Sequence, residues 1–166
     1  LQYANCFTES WGQFMDRLHP VPGNHDYAGD GGITYHNYFG INAGEPGKGY
    51  YSYEVGEWHI IALNSMIAID PGSEQLNWLQ NDLNSHPQLC TLAYWHYPRW
   101  SSGKVGNFVE MDPLVRLLYQ YNVDVILNAH AHIYERFAPQ DPDGNEDIEL
   151  GLREFIVGTG GSGHHA

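Results

Sequence analysis

The stretch "VILNAHAHIYERF", residues 125–137, places two histidines one residue apart at the end of an apolar run. A run this apolar is a strand buried in a sheet. The paired imidazoles of His130 and His132 stand where such a strand would emerge. One histidine pair is weak by itself. Its meaning depends on whether other strands of the chain finish the same way.

Two do. "HPVP" is a short extended segment, because proline excludes helix, and residues 18–22 run into Gly23, Asn24, His25 and Asp26. "CTLAYW", residues 90–95, is a second buried strand and is followed by His96. "YYSYEV" alternates as a strand, "WHIIALNS" is nearly continuous in apolar residues, and "EFIV" forms a late strand. Between them lie amphipathic helices. One starts at 73, with Ser73 as N-cap and Leu76, Leu79 and Leu83 on one side. Another opens at Asp112 and Pro113, with Leu114, Leu117, Leu118 and Tyr121. Residues 9–18 also read as a helix, with Trp11, Phe14 and Leu18 on one face.

Apolar strands alternating with helices predict an α/β domain over 1–166, with a mostly parallel sheet covered by helices on both faces. In such sheets ligands bind beyond the carboxyl ends of the strands. Three distant extended runs ending in imidazole would therefore meet at one rim. Imidazole is the commonest neutral metal ligand, and Asn adds a carbonyl oxygen suited to a harder ion.

The bulk properties narrow the partners. The 166 residues are enough for one core, and 42 % apolar and 14 % aromatic residues fit a compact fold. A formal charge of −13 repels nucleic acid and anionic membrane, both of which are gripped through Lys and Arg. An anionic substrate would need a local positive charge, such as a bound metal. Cys6 and Cys90 are too few for a disulfide framework and read as buried free thiols. No apolar run reaches the length of a membrane span. Both ends read as cut, with no leader, and His164 and His165 sit in a Gly/Ser tail.

"GNHDY", "YWHYPRW" and "NAHAHIYERF" resemble the third, fourth and fifth signature blocks of the calcineurin-like metallophosphoesterases, closest to the purple-acid-phosphatase-like branch. "REFIVGTGG" resembles a late strand of that fold, so the likeness covers nearly the whole chain. It implies an α/β sandwich holding two metal ions, Fe, Mn or Zn, which hydrolyses a small phosphorylated substrate. It further implies metal-bound hydroxide as the attacking group and a phosphomonoester as the substrate. It implies Asn24, His96 and His130 as ligands of one ion and His132 of the other. His25 would face the substrate, stabilising the transition state or protonating the leaving oxygen, with Asp26 orienting it or tuning its pKa. Tyr134, Glu135 and Arg136 match the family's block in supporting roles, and Arg99 either clamps phosphate or is a solvated cation.

Two departures stand out. Ala129 takes the place of a Gly, and nothing upstream of Gly23 resembles the Asp-x-His and Gly-Asp blocks that supply the bridging carboxylate. A segment beyond these residues, or a second chain, is expected to complete the site. The alternatives are an inactive metallophosphatase-like binding domain, or a phosphodiesterase or nucleotidase on the same scaffold, with residues 27–49 setting the choice. The likeness points to a secreted or periplasmic protein. His59 reads as an ordinary strand histidine, and the acidic loop 141–149 as solvated surface rather than a calcium site.

Overall fold

A computed structural model describes residues 3–160 and residue 163; the expectation for His164 and His165 lies outside the described residues. The described chain is built on one six-stranded sheet. In chain order its elements are α1 (Asn24–Tyr27), α2 (Ile33–Phe39), β1 (Tyr51–Val55), β2 (Trp58–Ala62), α3 (Glu74–Ser85), β3 (Cys90–Tyr94), α4 (Asp112–Gln120), β4 (Val125–Asn128), β5 (Tyr134–Arg136) and β6 (Arg153–Val157). The strand order is β1-β2-β3-β4-β6-β5. Pairings among β2, β3, β4 and β6 are parallel, while the edge strands β1 and β5 are antiparallel to their neighbours. The expected mostly parallel α/β fold is the one observed.

Helices α3 and α4 form where the periodicity placed them. The Ser73 hydroxyl accepts the Leu76 N–H at 3.3 Å, satisfying a donor the helix leaves unpaired. Pro113 sits in the first turn of α4, where its missing N–H costs no hydrogen bond. Both helices press one sheet face. Leu79, Leu83, Leu114, Val115, Leu117 and Leu118 meet Ile61, Ala93 and Ile126 in one core cluster. Truncating a fully buried member such as Leu118 to Ala would cost roughly 2–5 kcal/mol.

The other sheet face is less deeply buried. Along β3 and β4 every second residue is buried, and the alternate ones, Leu92, Tyr94 and Leu127, are only half-buried. Trp58, Ile60 and Tyr53 continue that apolar surface, and with Arg17 and His19 they line an open cavity.

Several local readings gain detail or are corrected. Residues 18–22 are extended but join no strand of the sheet, because Pro20 and Pro22 have no N–H to give a ladder. They are held sideways, by the Tyr51 hydroxyl donating to the Pro20 carbonyl at 2.8 Å and the Tyr94 hydroxyl to the His19 carbonyl at 2.7 Å. Residues 9–18 form a 3-10 helix over Trp11–Arg17, and Trp11 and Phe14 face solvent rather than a core. The 27–49 stretch is substantially helical. Its Tyr35, Phe39 and Ala43 make a small second core with Tyr3, Phe7 and Met15. Both cysteines are free, but Cys6 is exposed and Cys90 half-buried rather than sequestered.

Candidate metal centre

β3 and β4 are parallel neighbours, so their carboxyl ends deliver His96 and His130 to the same rim. The register holds beyond the last ladder pair: the Ala129 N–H donates to the His96 carbonyl at 3.1 Å. The segment before α1 then brings Asn24 to His96 across 72 residues of sequence. Asn24 Oδ1 lies 2.8 Å from His96 Nε2, and His130 Nδ1 lies 3.1 Å from that same nitrogen. Asn24, His25, His96, Ala129, His130 and His132 line one open pocket of about 380 Å³, together with Val157, Gly158 and Gly160. None of these lining residues is a carboxylate.

Close approach and strain build this corner. A Cβ on Gly23 would stand 2.8 Å from two atoms of the His96 ring, so only glycine allows the chain this near. His130 has φ +58°, a left-handed conformation that costs a non-glycine residue about 1–3 kcal/mol. It is followed by tight turns in which the Ala131 N–H donates to Ala129 O and the Ile133 N–H to Ala131 O. Gly158, just past β6, lies directly against this loop, and a Cβ there would collide with the Ala131 carbonyl oxygen.

A polar frame fixes the backbone around His96. Asn128, buried at the end of β4, donates from Nδ2 to the carbonyls of Trp95 at 3.0 Å and Tyr97 at 3.4 Å, on either side of the histidine. Glu154, fully buried on β6, accepts the N–H of Arg99 at 3.0 Å and of Trp100 at 3.2 Å. Burial pushes its carboxyl up to about 8, against the pull of those two donors and of Arg99. Around His130 the rings of Tyr97 and Phe108 stand edge to face. Burial, and next the neighbouring His130, push His96 down to about 4, so its ring is neutral at ordinary pH.

That donor set fits a metal ion. Two ligand atoms bonded to one ion at roughly 2.1 Å come within about 3–3.5 Å of each other. His96 Nε2 already lies 2.8 Å from the amide oxygen and 3.1 Å from the His130 nitrogen, close to that spacing, and a neutral imidazole is the form that ligates. His132 stands on the same pocket wall, its Nδ1 2.9 Å from the Gly163 carbonyl.

The remaining expected residues fall elsewhere. Asp26 does not reach for His25: its Oδ2 accepts the Gly23 N–H at 2.8 Å and its Oδ1 accepts the Tyr3 hydroxyl. It fastens the turn that carries Asn24 and His25. Arg99 is spent on an ion pair with Asp112 at 3.3 Å and lies over the Trp100 ring, outside the pocket lining. Tyr134 is 62 % exposed on edge strand β5 and does not line the pocket. Its neighbour Glu135 accepts from the Ser101 hydroxyl and the Ser102 N–H, holding the loop beyond His96. Nor do residues 27–49 line this pocket. Sequence reading missed Asn128, Glu154 and Gly158; the signals were polar residues inside apolar strands and a glycine directly after one.

With fold and pocket in place, comparison with known proteins gives a consistent result. Residues 2–134 match the family model for calcineurin-like phosphoesterases, and the chain belongs to that family. Within it, the similarity runs to purple acid phosphatases. The chain is 32 % identical to purple acid phosphatase 15 of Arabidopsis thaliana over 92 % of its own length. It is 25 % identical, over 97 % of its length, to the Arabidopsis protein called probable inactive purple acid phosphatase 1. The structure of a purple acid phosphatase isolated from yellow lupin (Lupinus luteus) seeds superposes with a TM-score of 0.75 at 22 % identity, covering 90 % of this chain and 30 % of that one. The chain spans about a third of the length of these relatives.

Proposed function

We propose that this chain forms part of a two-metal phosphoric ester hydrolase, acting on small phosphomonoesters. The observation that carries the reading is the approach of Asn24 Oδ1 and His130 Nδ1 to one atom, His96 Nε2, at 2.8 Å and 3.1 Å, at the carboxyl rim of the sheet. In this reading these three hold one ion and His132 contributes to a second. When bound, a pair of Fe, Mn or Zn ions supplies the positive charge that captures phosphate and acidifies a bound water. The ions also offset a chain of formal charge −13, which by itself repels an anionic substrate.

The chain's own residues then have separable tasks. His96, held neutral by burial, presents Nε2 as a ligand and takes no part in proton transfer. His25, exposed at the pocket mouth, faces the substrate and gives a proton to the leaving oxygen from its imidazole. Asp26 works through the backbone, fixing the Gly23–His25 turn. The carboxylate that bridges two ions in this family is supplied from outside this pocket's described lining. We place the protein in a secreted or periplasmic setting, on the strength of the purple acid phosphatase likeness; no described helix is long and apolar enough to cross a membrane.

The similarity to a relative named as probably inactive supports a second reading, a metal-binding domain without turnover. Hydrolysis of p-nitrophenyl phosphate by the full-length protein, with Mn, Zn or Fe added, separates the two. The hydrolase reading requires turnover that disappears in His96→Ala and His25→Ala. Bound metal with no turnover in the unaltered protein selects the inactive domain.

A further inference from the structure

At the opposite end of the parallel strands lies a second group of imidazoles. His59, near the start of β2, is paired with Thr91 at the start of β3, far along the strands from the rim that carries His96 and His130. Its ring is fully buried and sits between two carboxylates: Nδ1 lies 2.7 Å from Glu54 Oε1, and Nε2 lies 2.7 Å from Asp82 Oδ2. The ring of His86, just past the end of α3, stacks on it with centroids 4.6 Å apart and planes within 13°. His86 Nδ1 lies 3.3 Å from Asp82 Oδ1 and 2.9 Å from the Asp82 carbonyl. The Ser52 hydroxyl donates to Asp82 Oδ1 at 2.7 Å.

A neutral imidazole has one N–H and can satisfy only one of those carboxylates. The other contact sets an oxygen lone pair against a ring nitrogen, and either a second proton on the ring or a bound cation satisfies it. The stacked His86 ring, turned to the same carboxylate, gathers two imidazoles and a carboxylate at one place, where a single cation can serve all three.

We propose that His59 Nε2, Asp82 and His86 Nδ1 form a structural site for a zinc-class divalent ion, separate from the candidate catalytic pocket. The three ligand atoms lie within 4.8 Å of one another and need to close by roughly 1 Å to bond one ion together. Two histidines and a carboxylate, with water at a fourth position, are an ordinary zinc ligand set. The surroundings have the form that ligating groups need. Glu54 takes the Nδ1–H of His59 and so directs Nε2 to the ion, and Ser52 holds the ligating carboxylate. The two carboxylates balance the charge of a divalent ion. His86, half-buried, leaves the ion a route from solvent. On binding, any proton on His59 Nε2 passes to water, and His86 gives up its contact with the Asp82 carbonyl. The ion would tie the β1–β2 hairpin to the end of α3.

The inference does not rest on the hydrolase reading, and its test keeps the two apart. The full-length protein is stripped of metal, reloaded with Zn or Co(II), and its bound equivalents counted; the same is done for His86→Ala, and for both proteins in a His96→Ala background. His86→Ala is expected to lose one equivalent in either background. Together with His96→Ala, it should also lose part of the visible Co(II) absorption and of the rise in melting temperature on adding zinc that His96→Ala alone retains. Glu54→Gln is expected to weaken that equivalent roughly 10–100-fold. Equal stoichiometry with and without His86 would overturn the proposal, as would a His96→Ala protein that retains no ion. In either case the group is only a hydrogen-bonded clasp.

Discussion

The chain carries two histidine clusters at opposite ends of the same parallel strands, and they are built on opposite principles. At the carboxyl rim His96 meets an amide and another imidazole, and burial keeps it neutral. At the amino end His59 is braced by carboxylates on both ring nitrogens. The rim cluster stands on strained and crowded backbone, with His130 at positive φ and Gly23 and Gly158 under direct contact. The other rests on regular hairpin and helix. Strain at the rim is tolerated because the four parallel strands beneath it hold the loops in place, and such strain concentrates where function needs an unusual geometry. The partners of a histidine, more than its position in a motif, define what it can do.

Substitutions sharpen the contrast. The largest effect is expected for His96→Ala, which removes the nitrogen facing both Asn24 and His130; hydrolysis should be lost together with one bound ion, while melting temperature changes little. His25→Ala should lower kcat by about 10²–10⁴-fold, the contribution of a general acid, without loss of metal, and elemental analysis alongside steady-state kinetics checks both halves. Gly158→Ala forces the Ala131 carbonyl aside and should cost about 1–3 kcal/mol in denaturant unfolding, with weakened metal binding. An equivalent insult at the amino end leaves the rim's metal affinity intact.

A smaller effect concerns pH. Glu154 has a folded-state value of about 8 against an ordinary 4.5, so the folded protein holds a proton that the unfolded chain releases. Its stabilising contribution is complete below 4.5 and falls away as pH rises toward 8. His96, depressed to about 4 from 6.5, acts oppositely: its contribution is complete above 6.5 and is lost as pH falls toward 4. Between 6.5 and 8 the Glu154 effect acts without opposition from His96. Stability measured across that window should decline with pH, and Glu154→Gln should flatten the decline. The smallest effect is expected for Tyr134→Phe on the exposed edge, within 0.5 kcal/mol of wild type and with kcat/KM changed by less than about twofold.

Much of this arrangement was legible in the sequence. Continuous apolar runs gave the parallel strands, because a strand with apolar residues on both sides has few other homes. The histidines at their ends marked the rim. The 18–22 segment was legible as extended, and its prolines, which forbid a ladder, were the available sign that it is unpaired; its supports, Tyr51 and Tyr94, are distant in sequence and were not legible. β5 was hidden in the histidine block because a three-residue edge strand has too little pattern to read. Asn128 and Glu154 act through backbone groups that only the fold brings near. The His59 cluster is instructive: Glu54 and His59 are direct cross-strand partners in the β1–β2 hairpin, so that pairing was within reach. Asp82 and His86 were not, because the path of α3 over the sheet decides where its last turn lands.

The central claim is that Asn24, His96 and His130 hold one ion in common. Anomalous diffraction from crystals of the full-length protein grown with Zn or Mn tests it most directly. The account predicts a peak within bonding distance of Asn24 Oδ1, His96 Nε2 and His130 Nδ1 together. A protein that takes up metal elsewhere, with these three atoms still hydrogen-bonded to one another, would contradict it.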